Sequence, residues 1–214
     1  KEITSEHLRE IFLKLIDDGV QNINLVTPTH FLPSILPALT PKLPIPIVYN
    51  CGGYESVDTL RQLEGKVDIY LPDLKYYDSA LSARYSAAPD YFAVAVQALR
   101  EMFRQVGPVR FDENGMLQSG MVVRHLVLPG AHKDSLRLLN WLADNFSPED
   151  IRLSLMSQYT PPAGIAIREL QRPIFTYEYR KACERAEELG FLGYTQQRSS
   201  ADAAYTPPFD GTGL

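Results

Sequence analysis

Apolar positions recur along the chain in two rhythms. At the start, Leu8, Ile11, Phe12 and Leu15 fall three and four residues apart, which predicts an amphipathic helix. Thr4 or Ser5 is suited to cap that helix, and Gly19 to stop it. Asn22-Ile23-Asn24-Leu25-Val26 then switches to the period-two rhythm of a strand. The alternation continues. A helix shortened or broken by Pro33 and Pro37 is expected over 31–39, a strand over 47–49, and a helix over 56–63. Residues 67–76 form the next strand, and helices follow over 90–106, 135–146 and 176–189. Strands are expected at 121–128 and 152–158, with a small hairpin about Asn114-Gly115.

Strands alternating with helices imply a parallel sheet with helical crossovers. A closed eightfold barrel needs about 250 residues, more than the 214 present. A partial barrel or a doubly wound sheet fits, and in either one ligands bind at the carboxyl ends of the strands. One domain is expected over residues 1–192, and a Ser-, Ala-, Pro- and Gly-rich disordered tail over 193–214.

The stretch Val67-Asp-Ile-Tyr-Leu-Pro-Asp-Leu-Lys-Tyr76 stands out. It places Asp73 and Lys75 on one face of a strand, among residues that are otherwise apolar. Arg124 interrupts another apolar strand. Buried charges must pair or meet a ligand. Spacing alone leaves two readings of these three residues open: a structural ion network, or a site for a zwitterionic, hydroxyl-bearing ligand. His125 has the opposite strand parity and is expected to pack toward a helix. Cys51 beside Gly52-Gly53 has no activating partner and is expected to be buried filler.

Composition narrows the classes. A net charge of −5 makes a nucleic-acid backbone a poor partner. No apolar run is long enough to span a membrane, and no signal peptide is visible. Cys51 and Cys183 make neither a disulfide framework nor a metal motif, which suits a reducing cytoplasm.

Four blocks together resemble a known family. They are Asn22-Ile-Asn-Leu-Val-Thr-Pro-Thr-His-Phe31, Pro46-Ile-Val-Tyr-Asn-Cys-Gly-Gly-Tyr54, the stretch 67–76, and Val123-Arg-His-Leu-Val-Leu-Pro-Gly130. In order and type they are similar to the radical SAM branch that contains the pyruvate formate-lyase-activating enzymes. The resemblance implies a partial (β/α)₆ barrel, here expected to lack its first strand. It implies S-adenosylmethionine (SAM) and a [4Fe–4S] cluster as cofactors, with reductive cleavage of SAM to a radical that abstracts a hydrogen atom. In the activating enzymes the target is a backbone glycine of a partner polypeptide, a glycyl-radical enzyme.

By motif match, Asp73 and Lys75 take the family's Asp-x-Lys place in the SAM site. Arg124 takes that of the strand arginine, and Asn50 that of a ribose contact. Gln158 falls near the adenine-side strand end. Thr27-Pro28-Thr29 stands where the family has a Gly-Gly-Glu turn that meets the methionine ammonium. The family's Cys-x-x-x-Cys-x-x-Cys cluster motif is expected upstream of Lys1, so no cluster ligand is expected in this chain and its catalytic residues stay unassigned. The chain reads as an inactive fragment of such an enzyme. Two other functions remain open: a Schiff-base lyase of aldolase type using Lys75, and a non-catalytic ligand-binding domain.

Overall fold

A computed structural model describes residues 3–195. Helix α1 (Ser5–Asp17) is capped by Thr4, whose hydroxyl accepts from the His7 N–H at 3.2 Å. It leads into strand β1 (Ile23–Val26), then a 3₁₀ turn (Pro28–Phe31) and α2 (Leu32–Ala38). Next come β2 (Ile47–Cys51), α3 (Val57–Arg61) and β3 (Ile69–Pro72). Helices α4 (Ser79–Ser86) and α5 (Tyr91–Val106) precede the hairpin strands β4 (Arg110–Phe111) and β5 (Leu117–Leu126). The chain then forms α6 (His132–Asn145), β6 (Arg152–Met156), α7 (Thr176–Glu188) and β7 (Gly193–Thr195).

The strands form one open sheet in the order β1-β2-β3-β5-β6-β7, all parallel, with β4 antiparallel against β5. The β-α alternation and the parallel sheet agree with the sequence reading.

One strand parity faces the helices. Ile23, Leu25, Ile47, Tyr49, Tyr70, Met121, Val123, Leu153 and Leu155 join a single core with Leu60, Leu99, Leu138 and Ala182 of the helices. Each large side chain fully buried there is worth ~1.5–3 kcal/mol. The other parity carries Val48, Ile69 and Val122, which are buried but outside that core, together with Asn50, Asp73 and Arg124. Helices thus back one face of the sheet, and the opposite face carries the polar groups.

Two expectations need correction. The strand expected over 67–76 is regular only to Pro72. Asp73 and Leu74 continue the pairing, donating to Cys51 O at 2.9 Å and Arg124 O at 2.8 Å. The Lys75 N–H then leaves the sheet for the Tyr91 hydroxyl, 3.0 Å away. The tail expected from residue 193 also begins too early, because Gly193–Thr195 pairs with β6. A Cβ on Gly193 would overlap the Leu153 carbonyl oxygen, so this glycine serves close backbone approach rather than a loop. The rest of the expected tail, 196–214, lies outside the described residues. Among the described residues, no helix is long and apolar enough to cross a membrane.

Candidate ligand site at the strand carboxyl ends

Register brings the charged residues together. Asn50 pairs with Leu71, Asp73 lies two residues further on, just past β3, and Asp73 bridges Arg124 of β5. Three adjacent strands therefore present Asn50, Asp73 and Arg124 on one face. Lys75 reaches back, its Nζ 2.7 Å from Asp73 Oδ2, while Arg124 Nη2 lies 2.7 Å from Asp73 Oδ1.

The second contact is an ion pair without an aligned hydrogen bond. Among the described residues, neither Asp73 Oδ1 nor Arg124 Nε, both shielded from solvent, has a hydrogen-bond partner. A buried polar atom left unpaired costs about 1–3 kcal/mol, so both atoms favour a further polar group. One carboxylate between two cations also leaves the trio with one positive charge in excess. These features fit a zwitterion: a carboxylate against Lys75 and Arg124, an ammonium against Asp73, and hydroxyls against Asn50.

The other matched positions are placed differently. Thr27 adopts a left-handed conformation (φ 51°) and donates its N–H to Asn50 O at 2.8 Å. That turn swings Thr29 away from the trio. Its hydroxyl lies 2.8 Å from Tyr49 Oη and 3.5 Å from Glu55 Oε1, on the helix-backed side of β2. Gln158 stands beyond the end of β6, its Nε2 3.7 Å from Met156 Sδ. The structure thus gathers Asn50, Asp73, Lys75 and Arg124, adds Thr27 through its backbone, and separates Thr29.

Behind β2 sits a buried polar cluster that the sequence did not reveal. Glu55 has its pKa raised by burial, which outweighs hydrogen bonds from Cys51 and Thr29, and among the described residues its Oε2 has no hydrogen-bond partner. Cys51 is buried, as expected, and burial pushes its thiol well above the usual range. His125 faces the helices, also as expected. It is buried, with Nδ1 2.7 Å from Leu74 O and Nε2 2.8 Å from Ser135 Oγ.

An iron–sulfur cluster needs several thiolates close together. Here Cys51 lies behind β2 and Cys183 on α7, so the described residues do not fit one. Among them no group of three His, Cys, Asp or Glu side chains could hold a metal ion. The Schiff-base reading also loses its premise. Lys75 is 42% exposed and bridged to Asp73, so it is not a desolvated amine.

Solved structures share this fold. A domain of a pyruvate-formate lyase-activating enzyme from Bacteroides vulgatus superposes with a TM-score of 0.58 at 10% identity, covering 82% of this chain and 98% of that one. A radical SAM methyltransferase from Sphaerobacter thermophilus gives a TM-score of 0.62 at 10% identity, over 91% of this chain and 57% of that one. The chain has the radical SAM fold.

Curated relatives include an uncharacterized protein of Methanocaldococcus jannaschii, 27% identical over 177 residues, which are 80% of this chain and 47% of the relative. A lipoyl synthase of Kocuria rhizophila is 23% identical over 153 residues, 66% of this chain and 45% of that protein. The chain spans about half the length of these relatives. No family model matches it.

Proposed function

We propose that this chain is the SAM-binding body of a radical SAM enzyme related to the glycyl-radical activating enzymes. The observation that carries the reading is the Asp73–Lys75–Arg124 trio at neighbouring strand ends of a radical SAM fold, its Asp73 Oδ1 and Arg124 Nε lacking a hydrogen bond among the described residues. Lys75 and Arg124 receive the methionine carboxylate, Asp73 the ammonium, and Asn50 the ribose. Gln158 lies on the adenine side.

In the whole protein, SAM held by Asp73, Lys75, Arg124 and Asn50 would supply hydrogen-atom abstraction, and a [4Fe–4S] cluster would supply the reducing electron. The substrate is a polypeptide carrying the target glycine, and the setting is the cytoplasm. The groups contributed by this chain bind and orient.

Titration calorimetry with SAM tests the reading. Binding by the wild-type chain, weakened roughly tenfold or more in Asp73→Ala and Arg124→Ala, supports it. Unchanged affinity in both variants overturns the site.

A further inference from the structure

The segment that carries the trio leaves the sheet at Leu74, yet its backbone is not loose. The Tyr91 hydroxyl, from α5, accepts from the Lys75 N–H at 3.0 Å and faces two carbonyls, Asp73 O at 2.9 Å and Gly52 O at 3.0 Å. A phenol has one proton to give, so those carbonyls share it. Leu74 O can only accept, so His125 of β5 carries its proton on Nδ1 and donates it there, while Ser135 of α6 donates to Nε2. Asp134, also of α6, accepts from the Tyr77 and Asp78 N–H groups, both at 2.9 Å. Three side chains from three elements therefore hold backbone groups of Asp73, Leu74, Lys75, Tyr77 and Asp78.

The protonation these bonds need is supported by burial. It lowers His125 to about 4, keeping the imidazole neutral, and raises Tyr91 well above the usual phenol range, keeping its proton in place.

We infer that Tyr91, His125 and Asp134 are positioning residues: they preorganise the Asp73–Lys75 segment for its ligand without touching it. None of the three is paired with Lys75 Nζ or the Asp73 carboxylate, whose ionic partners are each other and Arg124. Because their bonds go to backbone, they set where the two charged side chains start rather than what those side chains meet. A ligand that binds a prearranged segment does not have to order it.

The inference rests on the proposed SAM site, and the test separates the two. Amide hydrogen exchange of the ligand-free chain, read residue by residue, is combined with SAM calorimetry on Tyr91→Phe, His125→Leu and His125→Asn. Asn can still donate to Leu74 O; Leu cannot. The expected result is roughly tenfold or faster exchange at the Lys75 amide both in Tyr91→Phe and in His125→Leu, since Leu74 O and the Lys75 N–H belong to one peptide group, while amides of β1 and α1 are unmoved. SAM affinity falls roughly tenfold in Tyr91→Phe and His125→Leu and is restored in His125→Asn.

Unchanged local exchange in both Tyr91→Phe and His125→Leu overturns the inference whether or not SAM binds. So does equal SAM affinity across all variants, or a loss in His125→Asn as large as in His125→Leu. Failure of the wild-type chain to bind SAM counts against the proposed function instead, and the exchange data then decide the positioning role.

Discussion

A Cβ on Gly53 would overlap the carbonyl oxygen of Asp73 and stand 3.1 Å from the Tyr91 hydroxyl oxygen. The loop after β2 and the end of β3 thus touch backbone to backbone. Gly53 also has φ +79°, a conformation that side chains disfavour. Gly53→Ala is expected to destabilise the chain by about 2 kcal/mol or more, since strain and overlap add. The shift in urea midpoint measures this. SAM affinity should fall with it, because the displaced atom belongs to Asp73.

Acid should weaken the fold through His125. Its folded pKa of about 4 lies below the ordinary 6.5 because burial disfavours the charged ring. Between those values the unfolded chain binds more protons than the folded one. The contribution is therefore complete above about pH 6.5 and is lost as pH falls toward 4, on the order of 3 kcal/mol. Glu55 and Asp134, whose pKa values burial raises, act with the opposite sign. Comparison with His125→Asn isolates the histidine: urea midpoints of the variant should change less between pH 7 and 4.5 than those of the wild type.

Cys51 should resist alkylation in the native state. It is 3% exposed, and burial keeps its thiol protonated. Iodoacetamide at pH 8 should modify Cys183, which is partly exposed, well before Cys51, and urea should bring the two rates together. Peptide mass mapping reads the order. Early native labelling of Cys51 would contradict the packing described behind β2.

Glu178 joins three parts of the carboxyl-end face. It accepts from both Nη atoms of Arg172 at 2.8 Å, from the Gly130 N–H at 2.7 Å and from the Phe175 N–H at 2.8 Å. Arg172 above all holds its carboxyl down, at about 2. Glu178→Ala leaves those donors without their acceptor and should cost about 3 kcal/mol. The depressed pKa fixes the sign with pH. The contribution is full above about pH 4.5 and disappears toward 2, so wild type and variant should converge in thermal melts at low pH.

The helices and the parallel order were legible because their rhythms are local: Leu8 to Leu15 and Val96 to Phe103 mark a face without reference to anything distant. Misplaced features had distant causes. The strand at 67–76 ends early because Tyr91, sixteen residues on, captures the Lys75 N–H. Strand β5 begins at Leu117 rather than 121 because its first residues pair with β4. Thr29 leaves the expected site because Thr27 adopts a left-handed turn that a Thr-Pro-Thr string does not announce.

The inward turn of His125 was inferable from alternation alone, whereas the face shared by Asp73 and Arg124 needed the register between their strands. Tyr91 and Asp134 were not inferable. In sequence Tyr91 is one more aromatic on a helix stripe, and Asp134 an ordinary acid in a first turn.

Strand β5 is also a measuring rod. Near its lower end Gly120 lies against Val109, where a Cβ would come within 2.6 Å of the Val109 Cα. Four residues on, about 13 Å away at strand rise, stands Arg124. Because side chains alternate, shortening that interval by one residue would turn the guanidinium into the helix-backed core and bring His125 out beside Asp73. A one-residue deletion between Gly120 and Arg124 would thus reverse the faces of both, whereas one in the 112–116 turn would leave both where they are.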